Sequence, residues 1–125
     1  MAENVTEQRA ERNWYALYTR PRHEKRVGEQ LEEKKIDYYL PLRKELKQWS
    51  DRKKWVEEPL FRSYIFVCGD KKERYRAVQT YGSVKFVSFS GRPVMLPPDE
   101  IERIKLILRE APAAESSSQF KPGDL

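Results

Sequence analysis

The sequence predicts an α+β fold, in which an antiparallel four-stranded sheet carries packed helices and a protruding β-hairpin. Two observations lead to this prediction. Aromatic-rich strands alternate with amphipathic helices along the chain, and one basic segment has the arms and turn of a hairpin. The 125 residues are enough for one domain with a modest core. Although 36% of the chain is charged, its apolar residues are clustered, which favours a folded domain over disorder.

The chain is expected to begin with a disordered lead-in over residues 1–13, which lack apolar periodicity. The first strand follows at WYALYT (14–19), where side chains alternate between two faces. Tyr15 and Leu17 point to one face of the sheet and Tyr18 to the other. We expect the face with Tyr15 and Leu17 to be covered by the helices.

A helix is predicted after this strand, opened by Pro21, because the missing N–H of proline costs little at a helix start. Val27 and Leu31 are spaced i, i+4, so the helix has one apolar side, and it should end near residues 36–37. The next segment, YYLPL (38–42), contains a proline and is therefore predicted to be an edge strand.

A β-hairpin is predicted across residues 43–58, with SDRK (50–53) at its tip and Trp49 and Trp55 one on each arm. Six Lys or Arg residues and two acidic residues lie within 43–54, so this segment carries a formal charge of +4. Such a tip could neutralise phosphates, or its charges could serve only to protect the hairpin edges from pairing.

The second half of the chain is predicted to contain two more strands and two more helices. SYIFVC (63–68) and VKFVSF (84–89) are the strands. Asp70 can cap a helix that runs to about Thr80. The third helix covers residues 97–110, where the apolar residues fall on one side.

No residue pattern points to an enzyme, a metal site or a bound cofactor. His23 is the only histidine and Cys68 the only cysteine, so neither a metal cluster nor an intramolecular disulfide can be assembled. The sequence contains no glycine-rich phosphate-binding motif. It also contains no secretory signal and no apolar run of membrane-spanning length, so we expect a cytoplasmic protein.

The aromatic side chains of the sheet allow three interpretations. RSYIFVCG (62–69) partly matches the RNA-recognition signature, in which exposed rings such as Tyr64 and Phe66 stack on bases of single-stranded RNA. The same rings, with others, could instead line an apolar depression for a helix of a partner protein. They could also be mostly core. Six aromatics are too many for the core alone, because strands cannot send every residue inward: Tyr18, Phe61, Tyr64, Phe66, Phe86 and Phe89.

Four segments, in this order and spacing, resemble the N-terminal (NGN) domain of NusG-type transcription elongation factors. They are WYALYTRPRHEKRVGEQLEEK, EPLFRSYIFV, GSVKFVSFSGRPVMLP and the terminal FKPGD. The resemblance covers residues 14–110. The P-L-F-x-S-Y form is similar to the specialised paralogues RfaH and UpxY. Residues 111–119 are a linker by composition, and 120–125 resemble the start of a truncated KOW domain.

The resemblance implies a bacterial, non-enzymatic factor that rides on RNA polymerase, keeps its clamp closed, and suppresses pausing and termination. The implied partners are the β′ and β subunits, non-template DNA in the transcription bubble, and a ribosomal protein or Rho through a KOW domain. The implied β′ clamp-helix surface is Tyr18, Phe61, Tyr64, Phe66, Phe86 and Phe89. The implied gate-loop contact of the β subunit is Lys72, Arg74 and Arg76. The nucleic-acid contacts are expected at Arg20, Arg22, Arg26, Lys47, Arg52, Lys53 and Lys54.

Overall fold

The computed structural model describes residues 12–110 and 114–115. The helices are α1 (Glu24–Glu33), α2 (Lys71–Val78) and α3 (Pro98–Glu110). The strands of the main sheet are β1 (Asn13–Thr19), β2 (Asp37–Tyr39), β5 (Tyr64–Gly69), β6 (Ser83–Phe86) and β9 (Met95–Leu96). The remaining strands are β3 (Leu42–Gln48), β4 (Lys53–Pro59), β7 (Ser88–Phe89), β8 (Arg92–Pro93) and β10 (Ala114–Glu115).

The main sheet has the strand order β2-β5-β1-β6, and β9 pairs with β1 beside β6. Every pairing in this sheet is antiparallel. β3 and β4 form the predicted hairpin outside it, with an unbroken register from Leu42 opposite Pro59 to Gln48 opposite Lys53. The α+β class, the antiparallel sheet and the protruding hairpin are therefore confirmed. The sheet has five strands rather than the four predicted, because the two-residue strand β9 adds to β1.

One face of the sheet packs against α1 and α2. Tyr15 and Leu17 of β1 lie on this face, as predicted, together with Ile65 and Val67 of β5, and all four are buried. The apolar side of α1 covers these four residues, and Ala77 of α2 packs in the same core. Alternation within each strand therefore produces a single continuous core.

The third helix lies on the opposite face, so the expectation that all helices cover one face is wrong. Tyr39 faces the same side as Phe66, its partner in the register, whereas its neighbour Tyr38 faces the core. The Lys105 ammonium of α3 lies 5.3 Å from the centroid of the Tyr39 ring. Burial, and next the negative charge of Glu102 in α3, raise the pKa of Tyr39 above its ordinary value.

Two predicted boundaries differ from the structure because of backbone geometry. Pro21 does not open α1: Arg22 has a positive φ of 65°, and the chain makes a turn before the helix begins at Glu24. The strand predicted at 84–89 is broken at Val87. Its second part turns through Ser90 and Gly91 into the small hairpin β7-β8.

The terminal predictions fall mostly outside the described residues. Asn13 was assigned to the lead-in, but it is the first residue of β1 and pairs with Gly69 of β5. Residues 1–11 lie outside the residues that the structure describes. Of the expected linker, only Ala114 and Glu115 are described, and their backbone pairs in parallel with β3. The whole of 120–125 also lies outside.

Candidate functional site

Four rings form a cluster on the sheet face opposite the core, which we call the aromatic patch: Tyr18, Phe61, Tyr64 and Phe66. Tyr18 and Tyr64 are register partners, and their ring centroids lie 5.4 Å apart. Phe61 precedes β5 and meets Phe66 edge-on at 5.6 Å. The patch lies on the same face as α3.

Exposure divides the patch into a floor and a rim. Phe66 is only 7% exposed, whereas Phe61 is 39% exposed and the two tyrosines are half-buried. A base cannot stack on a ring as covered as Phe66, so the structure disfavours the RNA-recognition alternative, which needs Tyr64 and Phe66 together. A wider partner that contacts Tyr18, Phe61 and Tyr64 at once fits this shape better.

The two other aromatics predicted for this surface lie elsewhere. Phe86 is opposite Leu17 in the β1–β6 register, and directly paired residues share a face, so it belongs to the core. It is 8% exposed and meets Tyr15 edge-on. Its assignment to an exposed surface is wrong. Phe89 is 78% exposed on the separate β7-β8 hairpin and makes no described ring contact with the patch.

A buried carboxylate holds the turn that presents Phe61. Glu24, in the first turn of α1, is 5% exposed, and its Oε2 accepts a hydrogen bond of 2.6 Å from the Ser63 backbone N–H. The Ser63 carbonyl in turn accepts from Thr19 N–H at 2.8 Å. Ser63 has a φ of 67°, a conformation that needs such support outside glycine. Sequence reasoning missed Glu24, because one charged residue among many in a helix gives no sign of burial.

Replacing Glu24 by Ala is expected to destabilise the domain by about 1–3 kcal/mol, because the Ser63 N–H loses its partner. Urea unfolding of both proteins would measure the difference. Glu29→Ala is the matched control, since Glu29 is an exposed glutamate of the same helix and should change stability by less than about 0.5 kcal/mol. Equal stability of the Glu24→Ala variant and the wild type would show that the carboxylate does not support the turn.

A second cluster brings two of the predicted arginines around an exposed tyrosine. The guanidinium carbons of Arg20 and Arg26 lie 5.7 and 5.2 Å from the centroid of the Tyr81 ring, and His23 stacks obliquely at 5.7 Å. Tyr81 is 54% exposed. Arg22 is exposed nearby in sequence but makes no described contact with this ring. Tyr81 was not predicted, since it comes from the α2–β6 turn, far from α1 in the chain.

The basic residues predicted on the hairpin are only partly free. Lys47 forms an ion pair with Glu58 across the strands, at 3.1 Å. Arg52, Lys53 and Lys54 are exposed at the tip, and none of them takes part in a described ion pair within residues 12–110. Arg20 and Arg26 therefore cluster around Tyr81, and Arg52, Lys53 and Lys54 cluster at the hairpin tip. Arg22 and Lys47 belong to neither cluster and line a cleft between the start of α1 and the hairpin.

The three basic residues of α2 do not form one surface. Arg74 is used by the fold: its guanidinium lies 4.3 Å from the Tyr15 ring centroid and donates to the Gly69 carbonyl at 3.2 Å. Arg76 donates to the Lys34 carbonyl at 3.2 Å. Lys72 is exposed. The helix itself begins as predicted, with a capping box between Asp70 and Glu73.

Comparison with known proteins decides the family. Residues 12–105 match the family described as transcription termination factor NusG. The chain belongs to the NusG family. A solved structure of Thermotoga maritima NusG is 25% identical and has a TM-score of 0.58, over 92% of this chain and 71% of that one. The NusG N-terminal fold predicted from the sequence is thereby confirmed.

Membership of the NusG family makes this chain a transcription factor domain with a role in elongation or termination. Proteins of the NusG family are transcription factors that interact with RNA polymerase and the transcription machinery. Burial raises the pKa of the Cys68 thiol, which keeps it protonated and poorly nucleophilic. Among the described residues, no group of three or more acidic, His or Cys side chains could hold a metal. No helix in the described ranges has the length and apolarity to cross a membrane.

Proposed function

We propose that this protein is a bacterial transcription elongation and antitermination factor that docks through its aromatic patch on the clamp-helix coiled coil of the RNA polymerase β′ subunit. In this proposal it acts in the cytoplasm and is related to the specialised paralogues RfaH and UpxY. The observation that carries the proposal is the partly exposed rim over the buried Phe66, formed by the exposed Phe61 and the half-buried Tyr18 and Tyr64.

The patch has the physical properties of a helix-binding surface. Flat rings bury a large area and lose little conformational entropy, so they are common among residues that dominate binding energy. The tyrosine hydroxyls can hydrogen-bond to polar groups at the edge of the contact. The sheet beneath fixes Tyr18 and Tyr64 in register, and Glu24 fixes the turn before β5, so little is lost in ordering the surface on binding.

A second contact, to the gate loop of the β subunit, is proposed at the exposed part of α2. Lys72 and Arg76 are the residues available there, since Arg74 packs on Tyr15. α2 lies on the core face and the aromatic patch on the other, so the two contacts would leave the sheet in different directions. A factor held at both points would bridge the polymerase cleft and favour the closed clamp, which opposes pausing.

Contacts with non-template DNA are proposed at the cluster of Arg20, Arg26 and Tyr81, with Arg22 as a further phosphate contact. The arginines can neutralise phosphates, and the exposed Tyr81 ring beside them can stack on an unpaired base. A KOW domain following this one would supply contacts to a ribosomal protein or Rho.

Transcription in vitro with purified RNA polymerase tests this function. The protein is expected to increase read-through at terminators and shorten pauses, and the variant Phe61→Ala/Tyr64→Ala is expected to lose both effects. Met95→Ala serves as the control, because Met95 is 60% exposed on β9, outside the patch. A wild-type protein without effect on read-through, or a patch variant as active as Met95→Ala, would overturn the proposal.

A further inference from the structure

We infer that the tip of the β3-β4 hairpin is a stacking site for the unpaired bases of a single-stranded nucleic acid, with Trp49 and Trp55 as the stacking rings. This inference rests on the proposed function in one respect only, the expectation that the domain binds nucleic acid. It adds a second binding site, separate from the arginine cluster around Tyr81. At this site the protein would contact bases as well as phosphates.

Two large apolar rings are exposed at this tip. Trp49 is 44% exposed and Trp55 is 53% exposed. Trp55 lies opposite Leu46 in the hairpin register, and Trp49 begins the turn, where its backbone N–H donates to the Arg52 carbonyl at 2.7 Å. Because side chains alternate along each strand, the two rings lie on opposite faces of the hairpin, so a single strand would contact both by passing around the tip. Neither tryptophan belongs to the hydrophobic core described for residues 12–110. The fold therefore does not need these rings for its core.

Positive charge surrounds the two rings. Arg52, Lys53 and Lys54 follow one another between Trp49 and Trp55, all exposed, and Asp51 is the only acid of this turn. The Arg52 guanidinium carbon lies 5.9 Å from the centroid of the Trp49 ring. Exposed rings among cations that form no described ion pair match the two requirements of single-strand binding, a positive path for phosphates and flat surfaces for bases.

The hairpin is held in place, which makes its tip a preformed platform. Its strands pair without interruption over seven residue pairs. On one side, the Lys25 ammonium of α1 donates to the Glu57 carbonyl at 2.5 Å. On the other side, the backbone of β10 pairs with β3 at Glu45 and Leu46. Each strand of the hairpin is therefore tied to the rest of the domain at its outer edge, at Glu57 on β4 and at Glu45 and Leu46 on β3.

The expected ligand is single-stranded rather than duplex, because only unpaired bases expose the faces that a tryptophan ring can cover. Stacking uses the π-face that every base has, so binding should tolerate different sequences. A protein partner fits less well: three adjacent cations that form no described ion pair would oppose burial in an apolar protein interface.

Fluorescence anisotropy of the full chain with labelled dT12, rU12 and a 12-bp duplex tests the inference. The wild-type protein is expected to bind at least one single strand more tightly than the duplex. In a background of Arg20→Gln/Arg26→Gln, which removes the phosphate contacts of the Tyr81 cluster, each of Trp49→Ala and Trp55→Ala should weaken that binding by about tenfold, and the double variant by roughly 100-fold. Trp49→Phe/Trp55→Phe should retain most of the affinity, since a smaller ring still stacks. Comparison of dT12 with rU12 distinguishes DNA from RNA as the source of the bases.

The salt dependence separates stacking from charge. Lys53→Gln/Lys54→Gln should flatten the dependence of affinity on salt, whereas the tryptophan variants should leave its slope unchanged. Tyr75→Ala is the matched control, because Tyr75 is 65% exposed on α2, away from the hairpin, and its loss should leave binding within twofold. Intrinsic tryptophan fluorescence should be quenched on binding in the wild type but not in the double variant.

Three results would overturn the inference: no binding of either single strand, equal binding of duplex and single strand, or a Trp49→Ala/Trp55→Ala variant that binds within twofold of wild type. These results are independent of polymerase docking. The tryptophan variants are expected to bind the clamp-helix coiled coil like wild type, and the aromatic patch variants are expected to bind dT12 or rU12 like wild type.

Discussion

The triple variant Tyr18→Ala/Phe61→Ala/Tyr64→Ala is expected to bind an isolated β′ clamp-helix coiled coil at least 100-fold more weakly than wild type, a loss of about 3 kcal/mol. These rings form the partly exposed rim of the aromatic patch, and truncating all three leaves the partner helices facing a depression lined by Phe66. Isothermal titration calorimetry of the coiled coil with each protein would give the two dissociation constants.

The control for this titration is Trp55→Ala, which removes an exposed ring of comparable size from the hairpin. It is expected to bind within twofold of wild type, and circular dichroism should show that every variant is folded. If the triple variant is folded and binds the coiled coil as tightly as wild type, the patch is not the docking surface.

Replacing Leu17 by Ala is expected to destabilise the domain by about 3–4 kcal/mol, within the range for leucines removed from well-packed cores. Leu17 is fully buried in the central strand β1, between β5 and β6, under the apolar side of α1. The surrounding strands cannot move in to fill the cavity without breaking their registers. Urea unfolding followed by circular dichroism would measure the change.

Leu106→Ala provides the comparison, since Leu106 is 50% exposed on α3 and should cost less than about 1 kcal/mol. Equal losses for the two substitutions would contradict the core assigned to the face with Tyr15 and Leu17. A variant that does not fold at all would be consistent with it, because 3–4 kcal/mol is a large part of the total stability of a small domain.

The strands and their core faces could be predicted because alternation is a local property. Tyr15, Leu17, Ile65 and Val67 follow from the two-residue period alone, and all four are buried as expected. The face of Phe86 could not be found in this way. It depends on the register between β1 and β6, which shifts at Tyr18 and Thr19 and is not encoded in either strand by itself.

The sequence pattern also could not predict on which face of the sheet a helix packs. The apolar positions of α3 indicate an amphipathic helix and its buried side, and Ile101 is indeed 1% exposed. The apolar positions of α3 do not indicate which of the two apolar faces of the sheet its buried side packs against. The chain reaches the second face through β9, a two-residue strand too short to give a periodic signal.

The candidate site mixes predictable and unpredictable residues for the same reason. Tyr18 and Tyr64 were found because both stand at alternate positions of clear strands. Glu24 and Tyr81 were missed, because their roles arise from contacts between distant segments: Glu24 with Ser63, and Tyr81 with Arg20 and Arg26. The arginines alone gave a charge signal, and only the fold places an exposed ring beside them.

Site-specific photocrosslinking to whole RNA polymerase tests the central claim most directly. A photoreactive phenylalanine analogue would replace Phe61, in the exposed rim of the aromatic patch, and a second protein would carry it at Tyr75, outside the patch. The account predicts that the analogue at position 61 crosslinks to the clamp helices of the β′ subunit, while the analogue at position 75 does not. Crosslinks from position 61 to another part of the polymerase, or to nucleic acid alone, would contradict it.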